Sequence, residues 1–195
     1  MDPASGFPCL GGDVSLTDLL ACFPLQGGRT DDDCFDEIAR EELCTPYDQL
    51  LDHEHHMTVT LEEFFGRPVV LHARRIRHEG DVYARELTLT AGTDGPIVMA
   101  GIMRLRLEYV PPAVRDAILT ARTPLGRILI EHGVLRRIRL HTLFRVRRGP
   151  RFPEMWAQSP TIESTFGRAA RIWCDERPAV ELLEIVSPAA SAFLR

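Results

Sequence analysis

Lysine is missing from this sequence, in which all 23 basic residues are arginines. Without a lysine amine the chain cannot form a Schiff base with a substrate or hold pyridoxal phosphate by that bond. It also cannot complete a P-loop, which needs Gly-Lys-Ser/Thr. We attribute the bias to a GC-rich genome rather than to function. Each arginine still carries the planar fork that binds carboxylates.

Basic excess and long apolar runs are also missing. The formal charge of -5 argues against a nucleic-acid-binding protein. No run approaches the roughly 18 apolar residues that cross a bilayer. The opening residues, MDPASGFP, have neither a basic segment nor an apolar core, so we expect no secretory signal. These patterns predict a cytoplasmic protein with no nucleic-acid partner and no membrane partner.

The cysteines and histidines do not form a recognisable metal or disulfide pattern. Five cysteines, among them Cys9, are widely spaced and include no CxxC pair, which predicts reduced thiols. The stretch HEHH at 53–56 is not HExxH, because Met57 stands where the second histidine would be needed. We therefore expect no metal and no other cofactor, and we interpret the histidines as a solvated or capping cluster.

The chain divides into an acidic N-terminal extension, residues 1–44, and a main domain, residues 45–195. With 195 residues and a hydrophobic fraction of 45%, it suits one sizeable core. The extension is expected to be partly helical, with helices at 15–23 and 32–43. A longer helix is predicted from Thr45 to Gly66, with a break near the β-branched residues 58–60.

After Gly66 the apolar residues alternate with a period of two. Strands are predicted at 67–78, 81–91, 97–109, 134–146, 164–174 and 178–186, with helices at 111–120 and 124–132. Most of these strands follow one another through short turns. The pattern predicts an α+β fold built on an antiparallel sheet of about six strands.

One cation interrupts an apolar strand face. Arg85 shares its side of the strand with Tyr83, Leu87 and Leu89. A buried guanidinium is costly unless it meets an anion. Three alternatives follow: a ligand carboxylate at Arg85, an internal ion pair, or an edge strand from which the side chain reaches solvent.

A carboxylate raises the same question in the last strand. Glu184 shares a face with Val180, Leu182 and Val186, although the other face is nearly as apolar. A carboxyl group on an apolar face is a candidate acid or base, because desolvation raises its pKa. The alternative is that Glu184 neutralises a buried arginine such as Arg85.

Five ordered elements resemble the chorismate pyruvate-lyase family, over roughly residues 45–190. TPLGR at 123–127, followed by Ile128 and Leu129, is the most specific. The others are Met57-Thr58, YAREL at 83–87, FGR at 166–168 and the closing stretch 178–184. The resemblance implies the chorismate lyase-like, UTRA-type fold, in which helices and an antiparallel sheet enclose an internal ligand pocket.

The resemblance also implies an activity and a site. The activity is a cofactor-independent carbon-oxygen lyase reaction that eliminates pyruvate from chorismate and leaves 4-hydroxybenzoate. Glu184 would donate a proton to the leaving ether oxygen, and Arg85 would hold a carboxylate. The remaining implied positions line the pocket, present backbone to the ligand, or assist a second carboxylate: Met57, Leu125, Gly126, and Arg168 or Arg171.

Two departures from the family pattern keep other functions open. The loop 149–160 is not part of it, and Leu183 stands where a threonine is common. A protein with the same pocket could bind or sense an aromatic carboxylate without turnover, or could act on a related substrate in secondary metabolism. In each case the expected partner is a small aromatic or cyclohexadienyl carboxylate, bound by a monomer or homodimer.

Overall fold

Seven antiparallel strands form one sheet in the computed structural model, which describes residues 12–28 and 31–190. The order across the sheet is β1-β5-β6-β7-β4-β3-β2. The strands are β1 Phe35–Ile38, β2 Val69–Glu79, β3 Val82–Ala91, β4 Ile97–Arg106, β5 Arg136–Arg147, β6 Ser164–Cys174 and β7 Arg177–Val186. The expected α+β class is confirmed. The stretch MDPASGFP and Cys9 lie outside the described residues.

Helices cover both faces of the sheet. They are α1 Leu16–Ala21, α2 Tyr47–Leu51, α3 Met57–Phe65, α4 Pro112–Leu119, α5 Leu125–Glu131 and α6 Pro153–Ala157. The helices α2 to α5 pack on one face, which we call the pocket face. The helices α1 and α6 pack on the other, which we call the opposite face. Each face therefore has its own apolar core, as expected when a sheet is covered on both sides.

The expected strand count and one helix need correction. The sheet has seven strands rather than six, because residues 35–38 form the edge strand β1. The predicted helix at 32–43 is wrong: two three-residue 3-10 turns flank β1 in that segment. Phe35 pairs with Val146 of β5, so a contact that is distant in sequence overrides the local helical pattern. The division at residue 44 stays a prediction.

The long helix expected from Thr45 to Gly66 is divided into α2 and α3. The break lies at 52–56, just before the predicted position at 58–60, and it ends with His56 in an extended conformation. Gly66 ends α3 in the left-handed conformation with φ 62°, as expected for a helix-terminating glycine. The segment 52–56 thereby becomes a connection that lies over the pocket face rather than part of a helix.

A β-bulge divides β5 between the two cores. The register against β6 shifts between Leu140 and Thr142. Ile138, before the bulge, belongs to the pocket-face core, whereas Phe144 and Val146, after it, belong to the opposite core. The alternating pattern of 134–146 predicts that these three residues share one face, which is wrong because one extra residue reverses the side to which the following residues point. The same pattern predicts outward-facing arginines at 137, 139, 145 and 147, and all four are exposed.

Candidate functional site

A cavity lies between the pocket face of the sheet and the helices α3 and α5. Its volume is about 50 Å³, which is space for roughly three to five water-sized groups. Most of the wall is aliphatic or thioether side chain. The polar or charged side chains on the wall are His55, His56, Thr58, Arg85, Arg168 and Glu184. Convergent polar groups in an otherwise apolar pocket are typical of small-molecule sites.

Of the seven residues that the sequence suggested for a site, six lie on the wall of this one cavity: Met57, Arg85, Leu125, Gly126, Arg168 and Glu184. Met57 opens α3, and Leu125 and Gly126 form the first turn of α5. A Cβ atom at position 126 would lie 3.0 Å from Thr58 Oγ1. Glycine therefore allows α5 to pack closely against the start of α3. The binding roles of the six stay predictions.

Arg85 is buried without a counter-ion. Its exposed fraction is 1%, and β3 has a neighbour on each side, so the side chain cannot reach solvent at a sheet edge. Within residues 12–28 and 31–190, Nε and Nη1 have no hydrogen-bond partner and the guanidinium forms no ion pair. Burial lowers the pKa of Arg85, and the nearby Tyr83 phenol acts in the opposite direction. The internal ion pair considered for Arg85 is not observed.

Glu184 instead pairs with Arg168. The two residues are directly opposite in the register of β6 and β7, and Arg168 Nε lies 2.7 Å from Glu184 Oε2. Glu184 therefore neutralises a buried arginine, which was one of the two alternatives. The arginine is Arg168 and not Arg85. A carboxylate in such a pair accepts hydrogen bonds and has no proton to donate.

Arg168 also ties the connection between α2 and α3 to the sheet. Its Nη1 donates to the carbonyl oxygens of Leu51 at 3.2 Å and His53 at 2.7 Å, and Nη2 donates to His55 at 3.4 Å. These bonds and the pair with Glu184 occupy most of the guanidinium. Arg171, the other arginine suggested for a second carboxylate, points to the opposite face, where it pairs with Glu181 at 2.6 Å.

His53 is held as a neutral imidazole beside Arg168. Its Nε2 lies 2.9 Å from the carbonyl of Leu50, which can only accept, so Nε2 carries the proton. The unprotonated Nδ1 accepts from Arg168 Nη1 at 3.2 Å. Burial, reinforced by the Arg168 charge, lowers the pKa of His53 to about 4.

His56 is a second neutral histidine, on the cavity wall. It is 8% exposed, and its Nε2 accepts a hydrogen bond from Arg136 Nε. Burial, followed by the charge of Arg136, lowers the pKa of His56 to about 4. Our interpretation of 53–56 as solvated or capping histidines missed this residue, because its burial depends on the break between α2 and α3. Nowhere in the described part of the chain do three or more His, Cys, Asp or Glu side chains gather to hold a metal ion.

Gly101 in β4 shapes the cavity wall by lacking a side chain. It pairs in register with Leu87 on one side and with Glu184 on the other. A Cβ atom at this position would lie 2.3 Å from the carbonyl oxygen of Leu183. This position therefore requires glycine, and the cavity borders main-chain atoms there.

The opposite face contains its own buried charges, and these are paired. Glu181 accepts from Arg104 Nε at 3.0 Å and from Arg171 Nη2 at 2.6 Å. A second group joins Arg151 to Asp31 and to Glu86, the latter at 2.8 Å. Every one of these carboxylates and guanidinium groups is at most 7% exposed.

Searches with protein-family models and among curated proteins return no match. Among solved structures, the chain is similar to PhnF from Mycobacterium smegmatis, with 15% identity and a TM-score of 0.47 over 68% of this chain and 64% of that one. It is also similar to the ligand-binding domain of a putative GntR-family transcriptional regulator from Bordetella bronchiseptica, with 13% identity and a TM-score of 0.39 over 62% and 85%.

A third similar structure is the C-terminal domain of the histidine utilization repressor from Pseudomonas syringae, with 9% identity and a TM-score of 0.40 over 63% of this chain and 93% of that one. The Bordetella and Pseudomonas structures are described as domains of a transcriptional regulator and a repressor, and none of the three is described as a lyase. The chorismate pyruvate-lyase function, with its chorismate, pyruvate and biosynthesis assignments, is therefore wrong. The pairing of Glu184 with Arg168 agrees with this correction, because the implied reaction needs a proton from Glu184.

No helix in the described segments is long and apolar enough to span a bilayer. Two broader expectations remain after the correction of the lyase function. The internal cavity suits a small molecule, as the resemblance implied, although not for the reaction that it implied. The architecture that the resemblance implied, an antiparallel sheet with helices around an internal pocket, is confirmed.

Proposed function

We propose that this chain is a binding module for a compact anionic small molecule, which it captures through Arg85. One observation carries the proposal: the Arg85 guanidinium is 1% exposed, and no residue that the structure describes supplies a counter-charge. An uncompensated buried charge costs several kcal/mol. A ligand carboxylate or phosphate would supply both the negative charge and the hydrogen-bond acceptors that the guanidinium lacks.

The walls favour a ligand with an apolar body. Leu87, Leu89, Met99, Met103 and Leu182 surround the cavity near Arg85. Aliphatic and thioether groups contribute burial energy but no orientation, whereas a single cation fixes the position of one charged end. An aromatic or cyclohexadienyl carboxylate has both properties, and it is the ligand class that we propose. Because a ring needs more space than about 50 Å³, the flexible side chains of Met99 and Met103 must shift to admit it.

Binding without turnover is the form of this function that the side chains support. Glu184 is committed to Arg168, and His53 and His56 each accept a hydrogen bond from an arginine. The role would be that of a sensor, which retains a ligand and does not convert it. The Bordetella structure is described as a ligand-binding domain, but our proposal rests on Arg85.

Calorimetric titration tests this proposal. Benzoate should bind the purified chain, and benzamide, a neutral molecule of nearly the same shape, should bind at least about 10-fold more weakly because it lacks the charge. Arg85→Met should abolish benzoate binding. The matched control Arg139→Met removes an exposed arginine of β5 and should leave binding unchanged. Inorganic phosphate, titrated in parallel, distinguishes a carboxylate site from a phosphate site.

Two outcomes would contradict the proposal. Benzoate and phosphate could both fail to bind a correctly folded sample, or benzoate could bind equally well to Arg85→Met. Incubation with chorismate provides a further control: release of pyruvate would contradict binding without turnover.

A further inference from the structure

We propose that His56 is a second ligand-recognition residue of the cavity, and that Arg136 is its positioning residue. The neutral imidazole would donate a hydrogen bond from Nδ1 to an oxygen of the ligand outside the anionic group. The ligand class narrows accordingly to compact organic acids that carry an additional uncharged acceptor, such as hydroxy or keto acids. This inference rests on the proposed function, since it needs a ligand at Arg85.

His56 lies at the boundary between two spaces. Its ring borders the cavity, and it also borders an open cleft of about 870 Å³, which we call the outer cleft. The outer cleft is lined in part by Val59, Ile130, Leu135 and Arg136. A molecule that passes from the outer cleft to Arg85 therefore meets the imidazole of His56.

Arg136 determines which ring nitrogen carries the proton. Arginine is a hydrogen-bond donor only, so the bond from Arg136 Nε requires that Nε2 of His56 be the acceptor. The proton of the neutral ring must then be on Nδ1. A second bond, from Arg136 Nη1 to the carbonyl of Val134 at 3.1 Å, fixes the guanidinium in place. No residue within 12–28 or 31–190 accepts a hydrogen bond from Nδ1.

Burial and neighbouring charges keep the donor neutral. Burial lowers the pKa of the His56 imidazole most, and the charges of Arg136 on β5, Arg168 on β6 and the adjoining His55 lower it further. Among the described residues, the cavity therefore presents Arg85 as a cation without a counter-ion and His56 as an uncharged donor. This combination matches a single anionic group together with a neutral oxygen, and it does not call for a second anionic group.

Gly126 leaves room for the ring. A Cβ atom at that position would lie 3.1 Å from Cβ and 3.2 Å from Cγ of His56. These distances are tighter than ordinary van der Waals contact, so a side chain at 126 would displace the imidazole or α5. The glycine in TPLGR therefore allows the proposed donor, His56, to occupy its position.

Matched pairs of acids test the role of His56. Benzoate carries only the carboxylate, whereas 2-, 3- and 4-hydroxybenzoate add one oxygen at three different positions. At least one hydroxybenzoate should bind the unmodified chain about 5- to 10-fold more tightly than benzoate, the range expected for one net hydrogen bond. His56→Leu should remove this advantage while leaving the benzoate affinity within about 2-fold.

Two further variants provide the controls. His56→Gln should keep most of the advantage, because its amide can both accept from Arg136 and donate to the ligand. His78→Leu changes an exposed histidine at the end of β2, and it should leave all four affinities unchanged. Equal weakening of benzoate and the hydroxybenzoates in His56→Leu would overturn the inference, as would the absence of any hydroxybenzoate advantage in the unmodified chain.

Imidazole 15N chemical shifts test the ring state without a ligand. His56 should show the Nδ1–H form at pH 7, and Arg136→Leu should shift it toward a mixture of both neutral forms. A proton found on Nε2 in the unmodified chain would overturn the inference whatever the titrations show. Arg85-dependent benzoate binding without an effect of His56 would refute this inference alone, whereas failure of every acid to bind would refute the proposed function as well.

Discussion

The two faces of the sheet both bury arginines, but they treat the charge differently. On the opposite face Arg104, Arg151 and Arg171 each meet a carboxylate. On the pocket face Arg168 meets Glu184, while Arg85 has no carboxylate partner in the described structure. Among the described residues, the other four buried arginines are thus neutralised, and Arg85 is left without a counter-ion at the cavity.

This difference separates stability from binding. A buried ion pair is costly to break, because removing one partner strands the other in a medium of low dielectric constant. A buried cation that has no partner lowers the stability of the free protein and adds affinity for an anion. Mutation of the paired charges on the opposite face should therefore reduce the stability of the protein. Mutation of Arg85 on the pocket face should reduce its affinity for an anion.

The largest expected effect is on the opposite face. Glu181→Gln leaves Arg104 and Arg171 without their shared carboxylate, so we expect the free energy of unfolding to fall by roughly 3–5 kcal/mol. Urea denaturation followed by circular dichroism measures this. Glu163→Gln, which removes an exposed carboxylate near Arg148, is the control and should change stability by less than about 1 kcal/mol. A loss as small as that of the control would contradict the structural role of the Glu181 group.

Protonation of His53 and His56 in acid should lower the stability of the folded protein. His53 and His56 have folded-state pKa values of about 4, below the ordinary value of 6.5, so the unfolded chain binds more protons between these values. Stability is then fully present above pH 6.5 and falls as the pH decreases toward 4. The loss between pH 7 and pH 5 should reach up to about 2 kcal/mol for each histidine.

Urea unfolding at several pH values measures this dependence. The double variant His53→Asn/His56→Gln retains hydrogen-bonding groups without titration, and it should flatten the curve between pH 7 and pH 5. An equally steep curve in the double variant would assign the acid sensitivity to other groups.

Removal of the unpaired Arg85 charge should raise the free energy of unfolding rather than lower it. Arg85→Met eliminates an uncompensated charge at similar volume, so the ligand-free chain should gain about 1 kcal/mol or more in stability. Thermal unfolding with and without benzoate measures both consequences: the variant should start at a higher Tm and show no further rise with ligand. A large loss of stability in Arg85→Met would show that the guanidinium has a structural partner.

The smallest effect is expected where an arginine is exposed. Arg147 of β5 pairs with Asp36 of β1 at the edge of the sheet, and both side chains are about half exposed. Arg147→Met should change the free energy of unfolding by at most about 1 kcal/mol, because solvent screens the pair. The same urea experiment checks this. A loss comparable with that of Glu181→Gln would remove the distinction between buried and exposed arginines.

Alternation alone predicted which apolar residues share a strand face with Arg85 and with Glu184, and these residues belong to the pocket-face core. The side-chain period of a strand is fixed by backbone geometry, so it can be predicted without knowing the neighbouring strands. The partner of Glu184 could not be predicted in this way, because Arg168 reaches it through the register of two strands. In β5 a single extra residue at 140–142 reversed the facing of Phe144, and no alternation pattern announces such a bulge.

Local patterns also failed where distant contacts decide the structure. A helix was expected at 32–43, but residues 35–38 are extended because they pair with β5. The burial of His56 follows from the turn of the chain at 52–56 and from Arg136, which is far away in sequence. The resemblance to a lyase indicated the right architecture and the wrong chemistry, since site residues can keep their places while their partners differ.

The missing side chain at Gly101 limits how this cavity can change. Any Cβ there would meet the carbonyl of Leu183, so a larger residue would force β4 away from β7 instead of merely filling space. Ligands of different size therefore cannot be accommodated by substitutions at this part of the sheet. Adaptation to a new ligand would have to come from the helical side of the cavity, at positions such as Met57 and Leu125. The sheet would stay constant while the helices diversify.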